Sequence, residues 1–236
     1  MLDRISTRIF ADGADLQRIV ALAADPRIAG FTTNPTLMHK AGLTDYQRFA
    51  RELLECVPQH PISFEVFADD AAEMARQARV IASWGANVYV KIPVTSTTGQ
   101  SMAPLARELS EDGVKVNVTA LFTVAQVERI ADAVADGAPS YISVFAGRIA
   151  DAGVDPVPII ARSVEVMRRA PRSELIWASP REILNLVQAN DSGCHIITIT
   201  HDLLEKLDLL GTGLEQYSLE TVRMFHNDAL AAGFTL

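Results

Sequence analysis

Residues 87–95 read "NVYVKIPVT". Val88, Val90 and Ile92 alternate with Asn87, Tyr89 and Lys91, the period-two spacing of a strand with two distinct faces. β-Branched residues favour that conformation. Lys91 interrupts the apolar run, where a charged amine is costly to bury. The stretch therefore predicts a strand that packs aliphatic side chains on one side and carries an amine on the other.

Working outward, seven similar runs recur: "RIFAD" (8–12), "GFTTN" (30–34), "ISFEVF" (62–67), "KVNVTA" (115–120), "YISVFA" (141–146), "ELIWAS" (174–179) and "HIITIT" (195–200). Segments with i, i+3, i+4, i+7 apolar spacing lie between them. Leu16, Ile19, Val20 and Ala23 share one such face. Met74, Ala78, Ile81 and Ala82 share another, and Val127, Ile130, Ala131 and Val134 a third. Eight strands alternating with helices predict parallel βαβ units. In 236 residues they fit a single (β/α)8 TIM barrel over 1–236, class α/β, with residues 218–233 as an additional C-terminal helix. An open doubly wound sheet has less support, because no GxGxxG or Walker-type loop follows any strand.

Composition narrows the function. Apolar residues make up 49% and charged residues 21%, ordinary for a globular protein. A net charge of −8 argues against a nucleic-acid partner. Two distant cysteines, Cys56 and Cys194, form no disulfide framework, which points to a reducing, cytoplasmic setting. No apolar run is long enough to predict a membrane span, and the N-terminus lacks the pattern of a signal peptide. The histidines at 39, 60, 195, 201 and 226 are scattered without metal-ligand spacing, so no metal is expected.

Strand parity then selects a set of polar residues. Phe64 and Val66 oppose Ser63 and Glu65; Val116 and Val118 oppose Asn117 and Thr119; Ile142 and Val144 oppose Ser143 and Phe145; Thr32 and Asn34 share a side. Barrel active sites form at the C-terminal ends of the strands. Asp12, Asn34, Glu65, Lys91, Asn117, Thr119 and Ser143 are thus predicted to converge on one pocket, with Thr32 and Ser63 on the same faces. Each alone could be a hydrogen-bonded core group. Convergence from six strands is harder to explain that way.

The chain has four lysines. Lys40 falls in the loop after the second strand and Lys206 in a late polar segment, and Lys115 begins a strand, at the opposite face. Only Lys91 lies late in an apolar strand. Burial favours the neutral amine, the nucleophile that forms a Schiff base with a carbonyl. The bland alternative is a Lys91–Glu65 ion pair that merely fills the barrel. Arg148 and Arg181 follow later strands, where barrels often bind phosphate, and the guanidinium fork matches a phosphate. With Ser179 they suggest a phosphorylated substrate.

The stretches "GFTTNPTL" (30–37), "VYVKIPVT" (88–95), "NVTALFTVAQ" (117–126), "SVFAGRIAD" (143–151), "WASPRE" (177–182) and "GCHIITIT" (193–200) resemble, in order and over nearly the whole chain, the transaldolase family. Its short members include the fructose-6-phosphate aldolases. The resemblance implies that Lys91 is the Schiff-base lysine and Asp12 the acid/base that takes the substrate's C4 hydroxyl proton. It implies that Glu65 and Thr119 hold a catalytic water, and that Asn34, Asn117 and Ser143 hold a dihydroxyacetone unit. Arg148, Ser179 and Arg181 match the phosphate site. No cofactor is implied. The implied substrates are sugar phosphates of carbohydrate metabolism, in the style of the pentose phosphate pathway.

Family aldolases tend to carry Gln at the position of Glu65 and Tyr at that of Phe145, so this chain looks transaldolase-like. An aldolase releasing free dihydroxyacetone and a non-catalytic sugar-phosphate-binding barrel are the alternatives. The chain departs from the family pattern at Pro180, where Phe is usual; in "FADGAD", which keeps Asp12; and in "GCHIITIT", which lacks a late proline. The first bears on phosphate-site geometry. Short members resemble ring-like assemblies, often decamers, so a homo-oligomer is expected, the last helix carrying Leu219, Val222, Phe225 and Leu230.

Overall fold

The computed structural model describes residues 2–233, the side chain of Asp3 excepted. Eight parallel strands close into a barrel in sequence order. They are β1 (Arg8–Asp12), β2 (Ile28–Thr32), β3 (Ile62–Glu65), β4 (Val88–Pro93), β5 (Val116–Leu121), β6 (Tyr141–Val144), β7 (Glu174–Trp177) and β8 (Ile196–Thr200). Around them run α1 (Leu16–Ala23), α2 (Pro35–Lys40), α3 (Tyr46–Cys56), α4 (Ala71–Ala82), α5 (Ala103–Glu111), α6 (Val124–Val134), α7 (Ala146–Asp151), α8 (Pro156–Val166), α9 (Leu184–Asp191), α10 (His201–Leu204) and α11 (Leu214–Ala232). The molecule is a (β/α)8 barrel.

The alternation read from the sequence divides two cores. Outward residues such as Phe64, Val90, Ile92, Val118, Ile142 and Ile199 pack beneath the helices, against Met74, Ala78, Ile81, Val127, Ile130 and Val134. Inward residues form a separate cluster of Phe10, Tyr141, Ile176 and Ile196, joined by Tyr89, with Ala178 at its upper edge beside the mouth. Phe10 meets Tyr141 edge-on at 5.6 Å between ring centroids, and Tyr89 stacks on Tyr141 at 4.0 Å. Gly30 is required here, because a Cβ on it would lie 2.7 Å from the Phe10 ring. This plug closes the barrel from below and leaves the opposite mouth to polar residues. Lys115 lies at the closed end, as its position at the start of β5 predicted, donating to the Ala86 carbonyl.

Several boundaries differ from the sequence reading, each for a local reason. β2 spans 28–32 rather than 30–34. Asn34 instead caps α2, accepting from Leu37 N at 2.9 Å, with Pro35 as the first helical residue. Lys40 therefore ends a helix rather than lying in a loop. β3 ends at Glu65: the Val66 N–H still donates to the Lys91 carbonyl at 3.1 Å, and those of Phe67 and Ala68 then turn to the Gln77 side chain. β6 stops at Val144, and Phe145 opens α7. In α1 only Ile19 of the expected stripe is fully buried, and Val20 is exposed at the helix's outer side. α11 begins at Leu214, four residues before the expected start, and buries no residue against its own barrel.

Candidate active site

At the open mouth lies a cavity of about 700 Å³. Its lining includes Asp12, Thr32, Asn34, Glu65, Lys91, Asn117, Thr119, Ser143, Phe145, Arg148, Ser179 and Arg181. Of the residues selected from sequence, only Ser63 is not on its surface. Ser63 is inward but fully buried beneath Asn117, whose Nδ2 donates to its Oγ at 3.0 Å. It supports a lining residue rather than facing the cavity.

Register explains the convergence. In adjacent strands Glu65 stands opposite Lys91, and Lys91 opposite Asn117. Lys91 Nζ lies 3.2 Å from Glu65 Oε2 and donates to the Thr33 carbonyl at 2.8 Å. Glu65 is held through its backbone: its N–H donates to Tyr46 Oη at 2.8 Å, and that hydroxyl donates to the Glu65 carbonyl at 3.0 Å. Asn117 accepts from Ser143 Oγ at 2.7 Å while donating to Ser63. Three strands are tied in this way by direct side-chain hydrogen bonds.

β5 carries a bulge. Val118 pairs with Ile142, but the next pair is Leu121 with Val144, so one residue on β5 is extra. Ala120 takes it up with φ of 63°, a left-handed conformation that costs free energy for a residue with a Cβ. Such strain is concentrated at functional sites. Beside it, Thr119 Oγ1 is buried at the cavity and has no hydrogen-bond partner among the described residues.

Asp12 ends β1. Its Oδ1 accepts from Thr32 Oγ1 at 2.8 Å, and its Oδ2 from Asn34 Nδ2 at 3.4 Å. Asn34 thus both caps α2 and reaches the carboxylate. Burial raises the Asp12 pKa above the ordinary carboxylate value; the Lys91 charge and the Thr32 hydrogen bond oppose this, and the nearby Glu65 charge adds to it.

The arginines approach from α7 and from the loop after β7. Arg148 on α7 lies over the Phe145 ring, 5.6 Å from its centroid. Arg181 follows β7 and is paired through Nε and Nη2 with Asp151 at the end of α7, which holds the Asp151 carboxyl below its usual range. The turn is tight. Ser179 has φ of 61°, and a Cβ on Gly147 would collide with its carbonyl at 1.5 Å. Glycine lets α7 approach the β7 loop and brings Arg148 and Arg181 to the same rim. Pro180, buried between Ser179 and Arg181, shapes that loop.

The family described as Transaldolase/Fructose-6-phosphate aldolase matches residues 9–236. This chain belongs to that family. Similar curated proteins include a "Probable transaldolase" of Dehalococcoides mccartyi, 35% identical over 201 residues, covering 85% of this chain and 89% of that protein. "Probable transaldolase 2" of Listeria monocytogenes is 36% identical over 201 residues, covering 85% and 88%. The family is enzymatic. Among solved structures, an HpcH/Hpal aldolase/citrate lyase family protein from Burkholderia cenocepacia superposes with a TM-score of 0.60 at 15% identity, over 92% of this chain and 95% of that one. That likeness speaks for the barrel alone.

The mouth also contains residues that strand reading passed over. Thr198 and Thr200 from β8 and Asp202 from α10 line it. The signal was present in "IITIT": Ile196, Thr198 and Thr200 alternate with Ile197 and Ile199. Tyr46 and the Thr33 carbonyl had no such signal, since a helix residue and a backbone oxygen escape any parity rule. Among the described residues no group of three or more His, Cys, Asp or Glu could hold a metal ion. No described helix is long and apolar enough to cross a membrane.

Proposed function

We propose that this chain is a class I transaldolase that moves a dihydroxyacetone unit between sugar phosphates through a Schiff base on Lys91. The observation that carries the reading is a single strand-borne amine at the barrel mouth, 3.2 Å from Glu65 and within the same cavity as Asp12. Glu65 is the adjacent carboxylate for the proton that Lys91 must lose before its lone pair attacks a ketose C2 carbonyl. The Thr33 carbonyl fixes the direction of Nζ.

Attack forms a carbinolamine, which loses water to give a protonated imine. Glu65 and the unpartnered Thr119 hydroxyl are suited to hold that water. Asp12 takes the C4 hydroxyl proton, the C3–C4 bond breaks, and its electron pair flows to the iminium nitrogen as an enamine. An aldose phosphate departs. The enamine attacks the aldehyde carbon of an acceptor aldose phosphate, Asp12 returns its proton, and hydrolysis frees Lys91. Asn34, Asn117 and Ser143, beside Thr32 and above Ser63, are suited to hold the donor's hydroxyls. Arg148, Ser179 and Arg181 are suited to the phosphate. Phe145 presents a ring without a phenol beside the enamine, which favours waiting for an acceptor over protonation and release.

Borohydride reduction in the presence of fructose 6-phosphate tests the mechanism: the expected result is a stable adduct on Lys91. An adduct on another lysine, or none with any ketose phosphate, overturns it. Adding erythrose 4-phosphate tests transfer. Equal release of free dihydroxyacetone with and without that acceptor would favour the aldolase reading. Sugar-phosphate binding without turnover would favour a non-catalytic barrel.

We also propose that the protein works in the cytoplasm, in sugar-phosphate interconversion of the pentose phosphate type, as a homo-oligomer of which a decamer is one form. The support for assembly is α11, whose Leu214, Val222, Phe225 and Leu230 are all more than 60% exposed. Sedimentation as a monomer would refute it.

A further inference from the structure

We propose that Thr198 is a positioning residue for the acid–base aspartate, acting on Asp12 through Thr32. The inference rests on the transaldolase reading and adds β8 to the strands that serve the reaction.

The geometry is a chain of oxygens across the barrel's closing seam. Thr198 Oγ1 lies 2.5 Å from Thr32 Oγ1, and Thr32 Oγ1 donates to Asp12 Oδ1 at 2.8 Å. β1 runs between the two threonine-bearing strands, with Phe10 in register with Thr198 and Asp12 with Thr32 and Thr200. The hydroxyl pair therefore sits inside the barrel at the boundary between the aromatic plug and the polar mouth. Both threonines are buried.

Proton counting fixes the direction. A hydroxyl carries one proton. While Asp12 is a carboxylate it only accepts, so the Thr32 proton is committed to Oδ1. The short contact between the threonines then requires the Thr198 proton. Thr198 donates to Thr32, and Thr32 to Asp12. Its hydroxyl polarises the bond that supports the charged carboxylate, and chained hydrogen bonds strengthen one another at low dielectric. The second carboxylate oxygen has only the longer Asn34 contact. When Asp12 Oδ1 takes a proton, the chain reverses: Asp12 donates to Thr32, and Thr32 to Thr198. The pair can follow either protonation state without moving a heavy atom.

The groups that bear on Asp12 are Thr32 and Asn34 from the β2 side, Glu65 from β3 and Lys91 from β4. Thr198 reaches it only through Thr32. Removing the Thr198 hydroxyl should leave substrate contacts in place and weaken support for the carboxylate alone.

The test is the pH profile of transfer for Thr198→Val, Thr198→Ala and Thr198→Ser, with borohydride trapping on the same preparations. For Val the expected kcat falls about 10-fold with KM within about twofold, and the acidic limb moves up by about half a pH unit or more. Ala, which leaves space rather than filling it, gives the same upward shift should Val disturb folding. Ser retains the hydroxyl and returns the limb to the parent position. A kcat loss with an unmoved limb marks a merely structural role and overturns the inference, as does an unchanged profile. Trapping separates the two levels. If Lys91 is trapped in parent and variants while the limb stays put, only the Thr198 role falls. If Lys91 is not trapped in the parent, the transaldolase reading falls and takes this inference with it.

Discussion

The two halves of the barrel interior are built from the same strands in opposite chemistry. Phe10 and Asp12 share the inward face of β1, Tyr89 and Lys91 that of β4, and Tyr141 and Ser143 that of β6. Each pair is two residues apart, about 6.6 Å along a strand. Below, aromatic rings and isoleucines fill the space and exclude water. Above, Asp12, Lys91, Asn117 and Ser143 are each held from a neighbouring strand, while Thr119 Oγ1 is buried on the cavity wall with no partner among the described residues. The lower half supplies rigidity to the upper. A carboxylate and an amine can be kept close to one another because the floor beneath them does not yield.

Substitutions on either side of that boundary sharpen the contrast. Lys91→Met should remove all detectable turnover and all borohydride adduct, with the barrel still folded by far-UV circular dichroism; residual adduct would move the nucleophile elsewhere. Asp12→Asn should lower kcat by about 10²- to 10⁴-fold, the usual share of a positioned acid–base group. In the parent, the rate should fall as the pH drops through the Asp12 pKa. Because burial raises that pKa, the loss should set in above about pH 4, the ordinary carboxylate region. A rate constant that is flat down to that region would exclude Asp12 as the base.

Below the boundary the effect should appear in stability. Phe10→Ala should cost about 3–5 kcal/mol of folding free energy, read from denaturant midpoints. Per folded molecule it should change the rate far less than Asp12→Asn does. Equal damage to both quantities would mean that the two halves are not separable. Smallest is the rim: Arg181→Gln should raise KM for a phosphorylated ketose about 10-fold and leave an unphosphorylated one nearly unaffected. Arg181 is already engaged by Asp151, so a phosphate must share or displace that carboxylate.

Much of this was legible in the chain itself. Period-two alternation assigned the inward residues of β3 to β6 correctly, because burying an aliphatic face leaves no freedom in which side a residue points. The convergence of Glu65, Lys91 and Asn117 followed from eight such strands in one barrel. Threonine hid Thr198: it is at home in any strand, so its place in "IITIT" read as β-propensity rather than as a site. Parity also placed Ser63 inward but could not set its depth, which register against Asn117 decides.

By itself, then, the sequence determined which residues face the interior and at which end of each strand the polar ones lie, since both depend on local periodicity. Tertiary structure alone decided what each of them touches. The β5 bulge at Ala120, the Tyr46 clamp on Glu65, the Thr33 carbonyl on Lys91 and the Thr198–Thr32–Asp12 chain each join residues distant in sequence or depend on strand register. Closing the barrel brings β8 against β1, and no pattern within one strand encodes the neighbour it will meet there.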